Sequence, residues 1–312
     1  MRDRTQPDLH LATEVATLEA LKGLDLAAYN RVYLGNPFCI EFRGNLLAAA
    51  DNLSEAIRLV NDAGACPIVS LAAMPASDQL RLVDDLIEVS IAAGTGGFEA
   101  HSVGVLHRLS ERQDVHGLTV VAGGFSNIYT RRTAVLYAEK GATLLVPNYE
   151  LPWEAIESMT MASPVPFEIL VHGKIPLGLS DSCLLVERSG DLGTKCPDSC
   201  LSDLWLEFHK WSLRSFGKLT SSGKDLCLLP EVPFFWSKGT RDFRVAGLTE
   251  KSETLNEIGR TYRGLLDSLR KRPVVSAAIP DDMTKTSRYG LCNGYLYGRS
   301  GCDWVERHLQ AT

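Results

Sequence analysis

At 312 residues, 45% of them apolar and 22% charged, the chain has the composition of a soluble globular protein that needs no covalent staples to hold its core. The net charge is −6, with Lys and Arg scattered, which argues against a dedicated nucleic-acid surface. The opening run MRDRTQPDLHLATEVATLEAL has acidic residues and no apolar h-region, so a secretory signal is not expected. No stretch reaches the length of a membrane span. A reducing cytoplasm is therefore the expected setting, where clustered thiols act as ligands or catalysts more often than as disulfides.

In chain order, VYLG (32–35) is a short apolar run followed by the helical pattern LSEAIRLVNDAG. PIVSLAA (67–73) precedes ASDQLRLVDDLIEVSIAAG, with apolar residues at 80, 82, 83, 86, 87 and 91. GFEAH (97–101), LTVVAG (118–123) and LLVPN (144–148) each lead into a further helical pattern, and FEILVHG (167–173) is the sixth predicted strand. The strands lack strict alternation, as expected when both faces are covered. Strand and helix repeating about every thirty residues predict parallel strands with right-handed crossovers. The fold class is α/β, a TIM-like (β/α) barrel favoured over an open doubly wound sheet.

Residues 174–242 break this rhythm and show no clean period. FRVAGL (243–248) reads as a late strand and EKSETLNEIGRTYRGLLDSLRK as the clearest late helix. The expected organisation is an N-terminal extension over 1–30, then one barrel domain over 31–312 that includes the loop 174–242 as an insertion after strand six. The Gly- and Tyr-rich tail from Pro280 reads as an ordered loop.

Cysteine carries the chemistry. Cys183, Cys196 and Cys200 form a C-x(12)-C-x(3)-C cluster, and Cys39 stands far upstream in LGNPFCIEF. Cys39 follows the first predicted strand and the other three follow the sixth. Loops after barrel strands share one face, so the topology predicts that the four thiols converge there. Four thiolates suit a 4Fe–4S cluster or tetrahedral zinc, and redox thiols are the third alternative. Cys66 and Cys227 lie in apolar runs and read as packed core. GGFSNIYT is not a GxGxxG fingerprint, and GxxxxGK[ST] is absent. Glu99 and Glu150, at or near strand ends, with His172 and Lys174 after strand six, are the candidate substrate-orienting residues at the barrel mouth. The aromatic residues Trp205, Trp211, Phe234, Phe235 and Trp236 read as packing.

Several runs, FEAHSVGVLHRLSE, VAGGFSNIYTRRTAVLYAEKGATLLVPNYEL and FEILVHGKIPLGLSDSC, resemble the peptidase U32 family in order and spacing over about 30–300. With CNGY (292–295), the combination is most similar to the UbiV branch, which serves oxygen-independent ubiquinone biosynthesis. The resemblance implies a 4Fe–4S cluster held by Cys39, Cys183, Cys196 and Cys200. It also implies a heterodimer with a second, UbiU-like U32 subunit and hydroxylation of an aromatic ring without dioxygen. RNA-modifying relatives use prephenate as hydroxyl source, so a similar donor is implied here. A non-catalytic relay or scaffold subunit, a U32 peptidase and an RNA-hydroxylating relative are the alternatives. No protease nucleophile with base and orienter, and no HExxH, is visible. The extra Cys302 follows the family pattern only loosely.

Overall fold

The computed structural model describes residues 9–40, 42–183, 185–186, 196, 198, 200, 204–209, 211–272, 277–299 and 303–306. Eight strands build a parallel ring. They are β1 (His10–Val15), β2 (Arg31–Leu34), β3 (Cys66–Ser70), β4 (Gly97–Ala100), β5 (Thr119–Ala122), β6 (Leu144–Leu145), β7 (Glu168–Leu179) and, late in the chain, β11 (Asp242–Val245). β1 to β6 pair in sequence order, β11 pairs β1 and β7, and every one of these pairings is parallel. A parallel bridge between Leu145 and Phe167, with Leu145 N–H donating to Pro166 at 3.0 Å, joins β6 to the start of β7. The ring is thus that of a (β/α)₈ barrel.

The expected extension over 1–30 is corrected by this pairing. His10–Val15 is the first barrel strand, hydrogen-bonded on both edges to β2 and β11. Its run HLATEV carries a glutamate inside an apolar stretch, which masked it as a strand. Every later strand therefore moves up by one, and the inserted segment follows the seventh strand, not the sixth.

That segment is mostly sheet. β8 (Trp205–Phe208), β9 (Trp211–Phe216) and β10 (Leu219–Cys227) form an antiparallel meander, and β10 pairs the outer half of β7. The tail returns as β12 (Leu291–Cys292), parallel to β10, which buries Cys292.

Helices cover the outside of the ring with the stripes their sequences carry. Ala50–Asp62 buries Leu53, Ala56, Ile57 and Val60, and Ser252–Lys271 buries Leu255, Ile258, Tyr262, Leu266 and Leu269. Ser102 and Thr130 cap the helices that follow β4 and β5, each accepting a backbone N–H three residues on. The main apolar core lies between ring and helices. A smaller one, Ala12, Tyr33, Ile68, Val121, Leu144 and Val146, fills the ring itself.

Between those apolar residues the ring interior is ionic. Arg244, 1% exposed, donates to Glu168 at 2.5 Å, to Glu99 at 2.8 Å and to Glu14 at 3.2 Å, and lies over the Tyr33 ring. Towards the other end of the strands, Arg31 pairs with Asp242 at 2.5 Å and faces Glu168 at 3.6 Å. These side chains alternate with outward-facing apolar ones along each strand, the period of two that a closed ring demands.

Candidate functional site

Two loops at the C-terminal end of the ring bring the cysteines together. Cys39 lies in the loop after β2, where Asn45 ties the backbone by donating to the carbonyls of Cys39 (2.9 Å) and Asn36 (3.1 Å). Cys183 follows β7, and Cys196 and Cys200 belong to the inserted segment. The two loops are pinned to each other, because Arg43 N–H donates to the Asp198 carboxylate at 2.7 Å and Asp198 lies between Cys196 and Cys200. A methyl group on Gly217, at the β9–β10 turn, would meet Cys39 Sγ at 3.8 Å and Cys200 Sγ at 3.9 Å. The bare glycine leaves that space open beside both sulfurs.

The surroundings are apolar, with Phe38, Phe42, Phe216 and Leu219 buried about Cys200 and with Cys196 against the same group. The Cys200 thiol is pushed up to about 12, first by burial and then by the nearby Cys39, Cys196 and Cys183. The four thiols therefore share one electrostatic neighbourhood. Among the described residues, no three His, Cys, Asp or Glu groups stand close enough to share a single metal ion. Four thiols in apolar surroundings are donors that either a 4Fe–4S cluster or a tetrahedral zinc ion takes.

Cys66 begins β3 at the opposite end of the ring, and Cys227 is buried against Met283 at 3.7 Å. Burial raises both thiols. Cys302 lies outside the described residues.

Beside the cysteines, a narrow cleft with room for about 30 Å³ runs into the ring. Its polar lining includes Glu14, Ser70, Glu99, His101, Tyr149 and Lys174, and Phe38, Leu219 and Leu248 form the wall on the cysteine side. Glu99 is buried, accepts from Ser70 at 2.8 Å and from Arg244 at 2.8 Å. Burial would raise its carboxyl, but Arg244 and then His101 hold it far below the usual carboxylate range. Glu14 shares the same guanidinium and moves the other way, raised by burial and by Glu99. Two carboxyls across one arginine thus differ in proton affinity, a pattern common at reacting sites.

The other sequence candidates divide. Lys174 lines the cleft, paired with Asp225 at 2.8 Å and donating to Gly223 O at 2.8 Å. Glu150 does not reach it. The expectation of a buried carboxylate there is corrected, since Glu150 is exposed and accepts from Tyr129 at 3.3 Å, while its neighbour Tyr149 takes the place at the cleft. His172 is buried outside the cleft, 3.5 Å from the Tyr262 hydroxyl. The β7–β11 register skips Val171 at this point, and Gly173 adopts φ +101° against Ala246, so Leu170 and Lys174 face the cleft and His172 does not.

Burial lowers His172 to about 4 from its ordinary 6.5. The unfolded chain then binds more protons than the folded one between these values, so stability falls as pH drops through that window. The loss is about 3 kcal/mol at full development. Urea unfolding of wild type and His172→Gln at pH 7 and pH 4.5 should show the gap between them narrowing or reversing at the lower pH.

Composition and spacing alone missed Glu14, Ser70, His101, Tyr149 and Arg244. For Glu14 and Arg244 the available signal was a charge within a short strand-like run. Among the aromatics, Phe234 and Phe235 pack on Trp153, whereas Trp211 is 54% exposed.

The sequence profile of peptidase family U32 matches residues 16–306. The chain belongs to peptidase family U32. Among solved structures, the U32 peptidase Mk0906 is 9% identical with TM-score 0.48, covering 80% of this chain and 98% of its own. The octameric Rubisco from Pyrococcus horikoshii OT3 is 12% identical with TM-score 0.51, covering 90% of this U32 chain and 63% of its own. An oxaloacetate acetylhydrolase is 14% identical with TM-score 0.44, covering 91% and 88%. At such identities the likeness speaks to fold alone. No curated protein matches the chain. Among the described residues, no helix of this U32 barrel is long and apolar enough to cross a membrane.

Proposed function

We propose that this U32 protein holds a 4Fe–4S cluster on Cys39, Cys183, Cys196 and Cys200 and takes part in oxygen-independent hydroxylation of an aromatic ring. The observation that carries the reading is the grouping of these four thiols, from distant parts of the chain, beside a cleft in the barrel mouth. A bound cluster with all four irons ligated by cysteine supplies one-electron transfer. The protein's own groups hold the substrate against the Phe38 wall, and Glu99, Glu14 and Lys174 set the charge around it. A ubiquinone-type ring, as in the UbiV branch, is the acceptor that the sequence resemblance favours, with prephenate as hydroxyl donor and a UbiU-like second subunit in a cytoplasmic complex.

The test is an oxygen-free incubation of the protein, alone and with a second U32 subunit, with prephenate and a phenolic acceptor, read by mass spectrometry. The reading expects product heavier by one oxygen atom, formed without dioxygen and abolished by Cys39→Ala. Product formed equally well by the partner alone would assign this chain a supporting role. Absence of product from every combination, or cleavage of peptides instead, would overturn the proposal.

A further inference from the structure

The inserted meander ends in an open edge. β8 pairs with β9 along one side, and among the described residues no strand pairs with its other side. Ser215 N–H donates to Leu204 O at 3.2 Å, which fixes the alternation of the ladder. Leu204, Leu206 and Phe208 therefore spend their backbone groups on β9, while Trp205 and Glu207 point their N–H and C=O outward. Such an edge is a template for a further strand unless charge, proline or a covering segment blunts it. This one carries a single charge, Glu207, among large apolar side chains. Leu206 and Phe208 are 45% and 58% exposed, and Trp211 beside them on β9 is equally open. Phe208, Trp211 and Leu213, with Leu177 and Tyr295, line a hollow of about 680 Å³ that this chain leaves unfilled.

We propose that a second copy of this chain occupies the edge, its β8 pairing antiparallel with this one about a two-fold axis at Leu206. The edge is self-complementary in that register. With Leu206 opposite its own counterpart, Trp205 stands opposite Glu207 of the second copy, and Glu207 opposite the second copy's Trp205. These are the residues whose backbone groups face outward, so each pair exchanges both of its hydrogen bonds. A slip of one residue would set outward groups against spent ones. An axis at Glu207 would put two carboxylates face to face. The side-chain charges favour the Leu206 register too. Arg214 and Arg288 stand 5.4 and 5.3 Å from the centroid of the Trp205 ring. Trp205 and Glu207 share one face of the strand, so Glu207 of the second copy arrives beside those guanidinium groups. Within its own chain Glu207 accepts from Tyr289 and lies 3.8 Å from Arg288, and its exposed carboxylate has lone pairs to spare. On the other face Leu206 packs on its counterpart and Phe208 on Leu204 of the second copy, which removes exposed apolar surface from water. A contact of this kind closes on itself and stops at two chains.

Sedimentation velocity on the purified chain should show a species of twice its 34.2 kDa, in concentration-dependent exchange with the monomer. Leu206→Lys sets two like charges opposite each other at the axis and should weaken association about a hundredfold or more. Leu206 is exposed in the single chain, so the far-UV spectrum of that variant should match wild type. Leu206→Cys reads the register. Residues opposite each other in a non-hydrogen-bonded pair lie about 4.5 Å apart at Cα, within disulfide reach. The two Glu207 positions form a diagonal pair, roughly 7–8 Å apart. Mild oxidation should therefore link Leu206→Cys into a covalent dimer on a non-reducing gel and leave Glu207→Cys, like wild type, as monomer. A wild-type chain that sediments as monomer at every concentration, or a dimer that survives Leu206→Lys, would overturn the inference. So would a monomer that captures a second U32 protein through the Leu206 edge, which would assign the edge to a different chain. None of these results depends on metal content, so the inference stands or falls apart from the iron–sulfur reading.

Discussion

Cys39→Ala and Cys200→Ala should each lose most of the iron and sulfide bound by the wild-type chain, whereas Cys66→Ala should keep it. The distinction is spatial. Cys39 and Cys200 flank the space above Gly217, in the apolar group at the C-terminal end of the ring, while Cys66 opens β3 at the other end. Neither ligand substitution removes enough buried surface to unfold the barrel, since deleting a single sulfur from a core costs roughly 1 kcal/mol. Loss of cluster with an unchanged far-UV spectrum is therefore the expected pair of results. Iron and sulfide assays on anaerobically prepared variants check it. Bleaching by Cys66→Ala with Cys39→Ala intact would show that the ligands are wrongly assigned.

Arg244→Met should be the most damaging single substitution in the ring. Arg244 is fully buried and pairs with Glu14, Glu99 and Glu168, so its removal leaves three carboxylates in a low-dielectric interior, with Arg31 still 3.6 Å from Glu168. Breaking a buried ion pair from one side costs about 3–5 kcal/mol, measurable by urea unfolding. The pH response should also change sign. In wild type, Glu99 is held well below its ordinary 4.5, so its contribution is present above that value and fades as pH falls through the folded-state pKa. Without Arg244, burial dominates and raises the carboxyls. The folded variant then binds more protons than the unfolded chain, and stability should rise as pH falls from 7 towards 5. Glu99→Gln placed in the Arg244→Met background should restore part of the loss. A variant as stable as wild type at pH 7 would show that the arginine is not what holds the carboxylates together.

Much of the barrel was legible because its outer shell obeys periodicity. The helices that bury Leu53, Ile57 and Val60, or Ile258, Tyr262 and Leu269, carry their stripe in the sequence. The strands between them are short apolar runs at regular spacing. The first strand was missed because HLATEV contains Glu14, and a charge in an apolar run reads as surface unless its partner, Arg244, is known to stand opposite. That pairing spans 230 residues and no local pattern reports it. The inserted meander was missed for another reason. Leu206, Phe208 and Trp211 are exposed, so its strands lack the alternation between buried and open faces that marks a sheet on a core. The meeting of the two cysteine-bearing loops was legible because the barrel topology places both on one face. His172 and Glu150 were misplaced by a skipped register at Val171 and by a loop that turns its tyrosine inward and its glutamate out.

The most direct measurement is the iron, acid-labile sulfide and zinc content of the wild-type chain purified without oxygen. A 4Fe–4S cluster on Cys39, Cys183, Cys196 and Cys200 predicts about four iron and four sulfide per chain, with zinc well below one. Stoichiometric zinc without sulfide, or a chain that binds neither after anaerobic reconstitution with iron and sulfide, would contradict the account.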